Sequence, residues 1–340
     1  MRAAQPAAAR LKLNPTVETR SRIRDASAIS LRIGLVNSMP PSAFGATDWQ
    51  FSRLLTRASA PGRVSVLRFW IPQANTGVDR RDAVELGYHE IGELFHSKLD
   101  AVVLTGAGPN DGPLTAEPTW EPLCEVLEWS LANTVSILAS CLAAHTATLL
   151  LDGVDRTRLE QKCFGVVGSQ AWARNPLAAG LPTRIAVPHS HLNAVDTASL
   201  LASGYQPLLT SGSDWTAVTR TKRSCLLVLY QGHPEYERLT LLREFRRDWR
   251  RFQEGRLFSV PKAPEAYLAP WAGPRLDRLA AGAAAYGAER RGHDFPMAEL
   301  SSACSDTWRD AARQLYTNWL EQVRERVAAR ASRQSGCSLA

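Results

Sequence analysis

The apolar positions of this chain fall into short, uniform runs separated by stretches of helical spacing. "LRIGLVN" (31–37) reads as a first buried strand. "TDWQFSRLLTRA" (47–58) repeats its apolar residues every three to four positions, with Thr47 as an N-cap candidate. "RVSVLRFWIP" (63–72) alternates and is β-branched, a second strand. "LDAVVLTGAG" (99–108) is a third, ending in a glycine turn. "TWEPLCEVLEWSLAN" (119–133) is helical, "VSILAS" (135–140) is a fourth strand, and the pattern after Cys141 is helical again. "SCLLVLYQGHPEY" (224–236) is another strand, running into a helix over 237–254. Apolar strands alternating with helices predict an α/β fold, a mostly parallel sheet with helices on both faces.

The remaining segments are less regular. Residues 1–30 are polar and basic, an N-terminal arm before a main body over 31–255. Within that body, 155–223 reads as shorter and more β-like. Residues 256–304, rich in Pro, Gly and Ala, predict an irregular linker. Residues 305–331 predict a C-terminal helix whose apolar stripe packs on the body, and 332–340 a tail.

The most apolar stretch, "VSILASCLAAHTATLLLD" (135–152), is no membrane span. It is interrupted by Ser136, Ser140, Cys141, His145, Thr146 and Thr148 and ends at Asp152, whereas a span needs roughly 20 mostly apolar residues. The formal net charge of +7 suits an anionic ligand. The basic run "REFRRDWRRF" (243–252) reads as the solvated face of an amphipathic helix, since no nucleic-acid motif accompanies it. The six cysteines form no CxxC pair and no Cys/His group has zinc-site spacing, so no metal and no resident cofactor are expected. No signal peptide is evident, so reduced thiols and a cytoplasmic location are expected.

Cys141 stands where a strand turns into a helix. A sharp turn there exposes one side chain and crowds its neighbours, so small residues are needed two before and two after; Ala139 and Ala143 occupy those positions. The helix N-terminus favours a thiolate and offers N–H donors. The plain alternative is a buried core cysteine. "YQGHPEYE" (230–237) supplies the complement. His233 and Glu235 are two apart, and Pro234 is expected to keep the segment extended so that both point one way. A histidine backed by a carboxylate is a general base with its orienter, and Cys141, His233 and Glu235 together make a triad. His145 shares the helix face of Cys141 and reads as a supporting or packing residue.

With these residues in view, the sequence resembles the homoserine O-succinyltransferase/O-acetyltransferase family of the class I glutamine-amidotransferase-like fold, a flavodoxin-like three-layer sandwich. The resemblance is carried in order by "GLVNSMP", "TDWQFSRLL", "VVLTGA", "ILASCLAAHTA", "PHSHLN", "QGHPEYERLTLLREFRRD" and "TNWL". It implies that 31–255 is the catalytic domain, that Cys141 carries an acyl thioester, that His233 is the base and Glu235 its partner. It also implies that Lys162, Ser190 and Arg247 contact an amino-acid substrate, and that the oxyanion rests on the N–H groups of Leu142 and Ala107. The implied activity is ping-pong transfer from acyl-CoA, a co-substrate, to homoserine or a related hydroxy amino acid such as serine, in methionine biosynthesis. A homodimer is compatible with this reading; nucleic-acid and membrane partners are not expected. The chain departs from the family where "PSAFGA" follows "NSMP", where His191 replaces an arginine, and at Asn110, the position implied to choose between succinyl and acetyl donors, which leaves the donor open. A glutamine amidotransferase or amidase uses the same triad on this fold, and a non-catalytic binding module keeps the fold without the chemistry.

Overall fold

The computed structural model describes residues 29–337 apart from 61–62, 73–76, 109–111, 258 and 286–294. Nearly all of the N-terminal arm, and Asn110, therefore lie outside the described residues.

The chain runs through β1 (Leu31–Asn37), α1 (Pro41–Arg57), β2 (Val64–Trp70), α2 (Arg80–Glu85), β3 (Tyr88–Glu90), β4 (Ala101–Leu104), α3 (Trp120–Asn133), β5 (Ser136–Ser140) and α4 (Leu142–Asp152). A β-rich segment follows: β6 (Arg156–Ala171), β7 (Arg184–Val195), α5 (Thr197–Ala202), β8 (Gln206–Ser211) and β9 (Asp214–Lys222). The chain closes with β10 (Cys225–Tyr230), α6 (Thr240–Gln253), α7 (Gly273–Ala285), α8 (Met297–Ser302) and α9 (Arg309–Cys337). All ten strands form one sheet in the order β3-β2-β1-β4-β5-β10-β9-β8-β6-β7. The half from β3 to β10 is parallel, and from β10 outward every pairing is antiparallel.

Side-chain alternation along the strands divides the core in two. Leu31, Ile33 and Leu35 of β1, Leu138 of β5 and Val228 of β10 face α1 and α9, where they meet Phe51, Leu55, Leu315, Tyr316 and Trp319. Ile137, Ala139, Leu227 and Leu229 point the other way, onto Leu123, Val126 and Leu127 of α3 and Ala143, Ala144 and Ala147 of α4. The α/β layering expected from the sequence is thus the layering found, and the stripe of α9 does pack on the sheet. The Trp319 indole N–H donates to Ser136 Oγ at 2.9 Å, which satisfies a polar atom buried beneath the helix.

Three expectations need correction. The first helix starts at Pro41 rather than at Thr47: proline suits the first turn, where its missing N–H has no helical partner, and Thr47 lies buried inside the helix. The described residues of 256–304 are not an irregular linker. They carry α7 and α8 and form a third cluster in which Tyr267, Ala272 and Leu300 cover Leu241, Leu242 and Phe245 of α6. This segment is stitched to the sheet at Gly165: Glu265 N–H donates to Phe164 O at 2.9 Å and Val166 N–H donates to Glu265 O at 2.8 Å. Finally, α9 extends to Cys337, into the stretch expected to be a tail.

Candidate active site

β5 and β10 are parallel neighbours, so the segments leaving their carboxyl ends emerge side by side. Cys141 leaves β5 with φ 50° and ψ −111°, and α4 begins at the next residue. Its N–H donates to the Tyr230 carbonyl at the end of β10, at 2.7 Å. The turn is therefore pinned to the strand that carries the other half of the site. The thiol is half-buried, as an elbow nucleophile must be, and not sealed in the core.

After Tyr230 the chain does not stay extended. Tyr236 N–H donates to the His233 carbonyl at 3.1 Å, closing a turn with Pro234 at its second position. The expected extended His-Pro-Glu segment is thus replaced by a turn, because proline's fixed φ also suits that corner. The pairing survives: His233 Nδ1 lies 2.7 Å from Glu235 Oε1, with both residues buried. The imidazole also hydrogen-bonds the Cys141 side chain. Burial pushes the imidazole toward its neutral form, but the Glu235 carboxylate and the Cys141 sulfur outweigh it and raise its pKa well above the usual histidine value. Tyr236 stacks on the ring, centroids 4.4 Å apart, and fixes its plane.

The turn after β4 crosses the Cys141 elbow. A Cβ placed on Gly106 would lie 3.1 Å from Ser140 O, 3.2 Å from Leu142 N and 3.3 Å from Cys141 Cβ, so backbone crosses backbone at the elbow. This brings the turn containing Ala107 over the Leu142 N–H, one of the first amides of α4 and without an intrahelical partner. His145 is buried on α4 behind the elbow. Its Nε2 lies 2.8 Å from Gln231 Oε1, and burial drives its pKa down to about 4.

Lys162, Ser190 and Arg247 converge on two carboxylates of α6. Lys162 Nζ lies 3.0 Å from Asp248 Oδ2 and 3.7 Å from Glu244 Oε2. The Ser190 hydroxyl donates to Glu244. The half-exposed Arg247 guanidinium lies 3.1 Å from Asp248 Oδ1 and 3.7 Å from Glu244 Oε2. Tyr236 links this cluster to the triad, since its hydroxyl donates to Glu244 Oε1 at 2.6 Å while its ring lies on His233. Glu244, Asp248 and Tyr236 went unnoticed in the sequence. The available signal was the spacing of 244, 247 and 248, one helical face.

His189 and His191 flank Ser190 on β7, with Cys163 of β6 opposite. His189 Nδ1 is 3.0 Å from His191 Nε2, and the ligand atoms of Cys163, His189 and His191 all lie within 4.8 Å of one another. Sequence spacing, which showed no metal-binding group, cannot register a cluster assembled across two strands.

A thiol on a strained strand-to-helix turn, bonded to an imidazole that a buried carboxylate orients, defines a class: α/β proteins equipped for acyl transfer through a cysteine. Within that class, the chain belongs to the homoserine O-succinyltransferase family, whose profile, described as homoserine O-succinyltransferase, matches residues 2–328. A homoserine O-succinyltransferase of Methylorubrum extorquens is 40% identical over 298 residues, 88% of each chain. One of Cardiobacterium hominis is 36% identical over 296 residues, 86% of this chain and 82% of the relative. Among solved structures, a glutamine amidotransferase of Thermotoga maritima covers 86% of this chain and 98% of its own at 13% identity, with a TM-score of 0.47. That likeness is too loose to bear on activity.

Proposed function

We propose that the chain transfers an acyl group from acyl-CoA to the hydroxyl of homoserine through a thioester on Cys141, in methionine biosynthesis. The observation that carries the reading is the Cys141–His233–Glu235 hydrogen-bonded chain at the adjacent ends of β5 and β10. The family supplies the acceptor, and the name it shares with its relatives favours succinyl-CoA as donor. Acyl-CoA is an intracellular donor, so the reaction is assigned to the cytoplasm. Among the described residues no helix is long and apolar enough to cross a membrane.

In the first half-reaction the Cys141 sulfur attacks the thioester carbonyl. The oxyanion is met by the Leu142 and Ala107 N–H groups, and the departing CoA sulfur takes its proton from His233. Acylation removes the cysteine's share of what held the imidazole protonated. His233, now neutral and still oriented by Glu235, accepts the homoserine hydroxyl proton as that oxygen attacks the thioester. Collapse returns the sulfur to Cys141 and the proton to it. A homoserine zwitterion matches the neighbouring cluster: Arg247 and Lys162 for its carboxylate, Glu244 and Asp248 for its ammonium.

The test is to mix the protein with succinyl-CoA or acetyl-CoA, weigh the intact chain, and then add homoserine or serine. An acyl adduct on Cys141 that homoserine discharges is the expected result, with none in Cys141→Ala. Glutamine hydrolysis without acylation would replace this reading with the amidotransferase one.

A further inference from the structure

We propose that Cys163, His189 and His191 form a metal site across β6 and β7 that takes a zinc ion through one thiolate and two imidazoles, clamping the two strands together. The site lies beside the acyl-transfer residues, because His189 Nε2 sits against Gly232 and His233 N–H donates to Pro188 O at 2.7 Å, but it uses none of their side chains and is assigned by none of the relationships above.

Strand geometry builds it. His189 and His191 are two apart on β7 and so point to one face, while Ser190 between them points to the other and bonds Glu244. Cys163 stands directly opposite His191 in the antiparallel register, where facing Cβ atoms lie about 4.5–5.5 Å apart. Lys162, its chain neighbour, turns the opposite way and lies over the Phe164 ring at 4.0 Å. The ligand face is therefore free of the lysine ammonium.

The spacing and the donor set both fit zinc. With Zn–N near 2.0–2.1 Å, two nitrogens on a tetrahedral ion sit about 3.3 Å apart, and His189 Nδ1 and His191 Nε2 already stand 3.0 Å apart. The sulfur is within 4.8 Å of both and closes the remainder by a change of rotamer. The outer support is also present. His191 Nδ1 lies 2.9 Å from the Asn193 carbonyl, so its N–H donates there and its Nε2 lone pair faces the cluster. In the metal-free arrangement that lone pair accepts the His189 Nδ1–H. Ion binding replaces this proton bridge. The His189 proton moves to Nε2, where the buried N–H has no acceptor and is a cost that ligation offsets, and Cys163 releases its proton to solvent as the Zn–S bond forms. Burial first, and then the carboxylates of Glu265 and Asp214, push the free thiol's pKa up, a cost that the Zn–S bond has to offset. Three protein ligands leave the fourth position to water, and one thiolate with two imidazoles is a borderline-soft set suited to zinc over magnesium or calcium.

The ion's place explains what it would do. The β6–β7 register is irregular between Arg158 and Cys163, and Cys163 is the first residue back in register. A cross-strand bond there holds the strand that delivers Lys162.

The experiment uses the full chain, freed of metal by a chelator and reloaded with Zn²⁺ or Co²⁺. The expected results are one ion per chain and, with Co²⁺, a thiolate-to-metal charge-transfer band with the strong visible bands of a tetrahedral site. Zinc should also raise the melting temperature. Cys163→Ser should abolish the charge-transfer band. His191→Arg should lower affinity by more than the roughly 10–100-fold that loss of an outer-shell partner costs. Both variants should keep the circular dichroism of the parent and still acylate Cys141. The band should persist in Cys141→Ala; its loss there would assign the metal to the catalytic thiol and overturn the proposal. Unchanged metal content in Cys163→Ser, or no charge-transfer band in the parent, would overturn it equally.

Discussion

At Cys141 the backbone holds a conformation, φ 50° and ψ −111°, that costs a residue with a side chain about 1–3 kcal/mol. The strain is what lifts the sulfur out of the core. Cys141→Gly should therefore melt about 2 °C above Cys141→Ala while both are inactive, a comparison that calorimetry can make. Across the elbow, Gly106→Ala forces a Cβ to within 3.1–3.3 Å of Ser140 O, Leu142 N and Cys141 Cβ. It should slow acylation by about 10-fold or more through the displaced oxyanion donors while leaving the fold intact, as read by single-turnover CoA release. The Glu235 carboxylate is the main influence raising the pKa of His233 against burial. Deacylation needs the neutral ring, so Glu235→Gln should move the acid limb of the deacylation profile to lower pH even as its plateau falls. Cys141, His233 and Glu235 were legible in the sequence because each lies in a short local pattern: small residues around an elbow, a histidine two before a carboxylate. Tyr236 and Glu244 were not, because their roles arise from a ring stack and a hydrogen bond that join two elements.

Helix α6 shows how an element's placement gives its residues different work. Measured along the axis from the His233 loop, Arg247 looks too distant to serve the site, yet Glu244 reaches Tyr236 and lays the helix against the triad. Arg247 shares that face through its contacts with Glu244 and Asp248, although it and Arg246 are both exposed. Arg247→Ala should slow acyl transfer to homoserine by about 10–100-fold, the worth of a charge-assisted hydrogen bond of about 1.5–3 kcal/mol. Cys141 should acylate normally in this variant, and Arg246→Ala should change neither step. Gly165 makes a second prediction. With φ +150° and Glu265 backbone atoms 2.3–2.9 Å from a would-be Cβ, Gly165→Ala must push the 256–304 segment off β6. Faster proteolysis within that segment would report the loss. The strands of the parallel half were readable because burial on both faces makes them continuously apolar. The helices of 256–304 were not, since a stretch rich in Pro, Gly and Ala has no period and takes its order from packing on α6.

For the molecule as a whole, the sheet's two halves differ in what a sequence can reveal. The parallel half follows from alternation of strands and helices, but the outer strands are ordered by long-range pairing, which no window of residues contains. The cluster of Cys163 with His189 and His191 was missed for the same reason. That arrangement also determines when the site comes into being. β5 and β10 lie side by side in the sheet, yet the whole of residues 141–224, including the antiparallel half, comes between them in the chain. Closing so long a loop is entropically costly and slow, so their docking belongs late in folding. Cys141 and His233 meet only when it is done. On refolding from denaturant, the ability to take up an acyl group should return after the far-ultraviolet dichroism has recovered, making the nucleophile a built-in clock for the last long-range step.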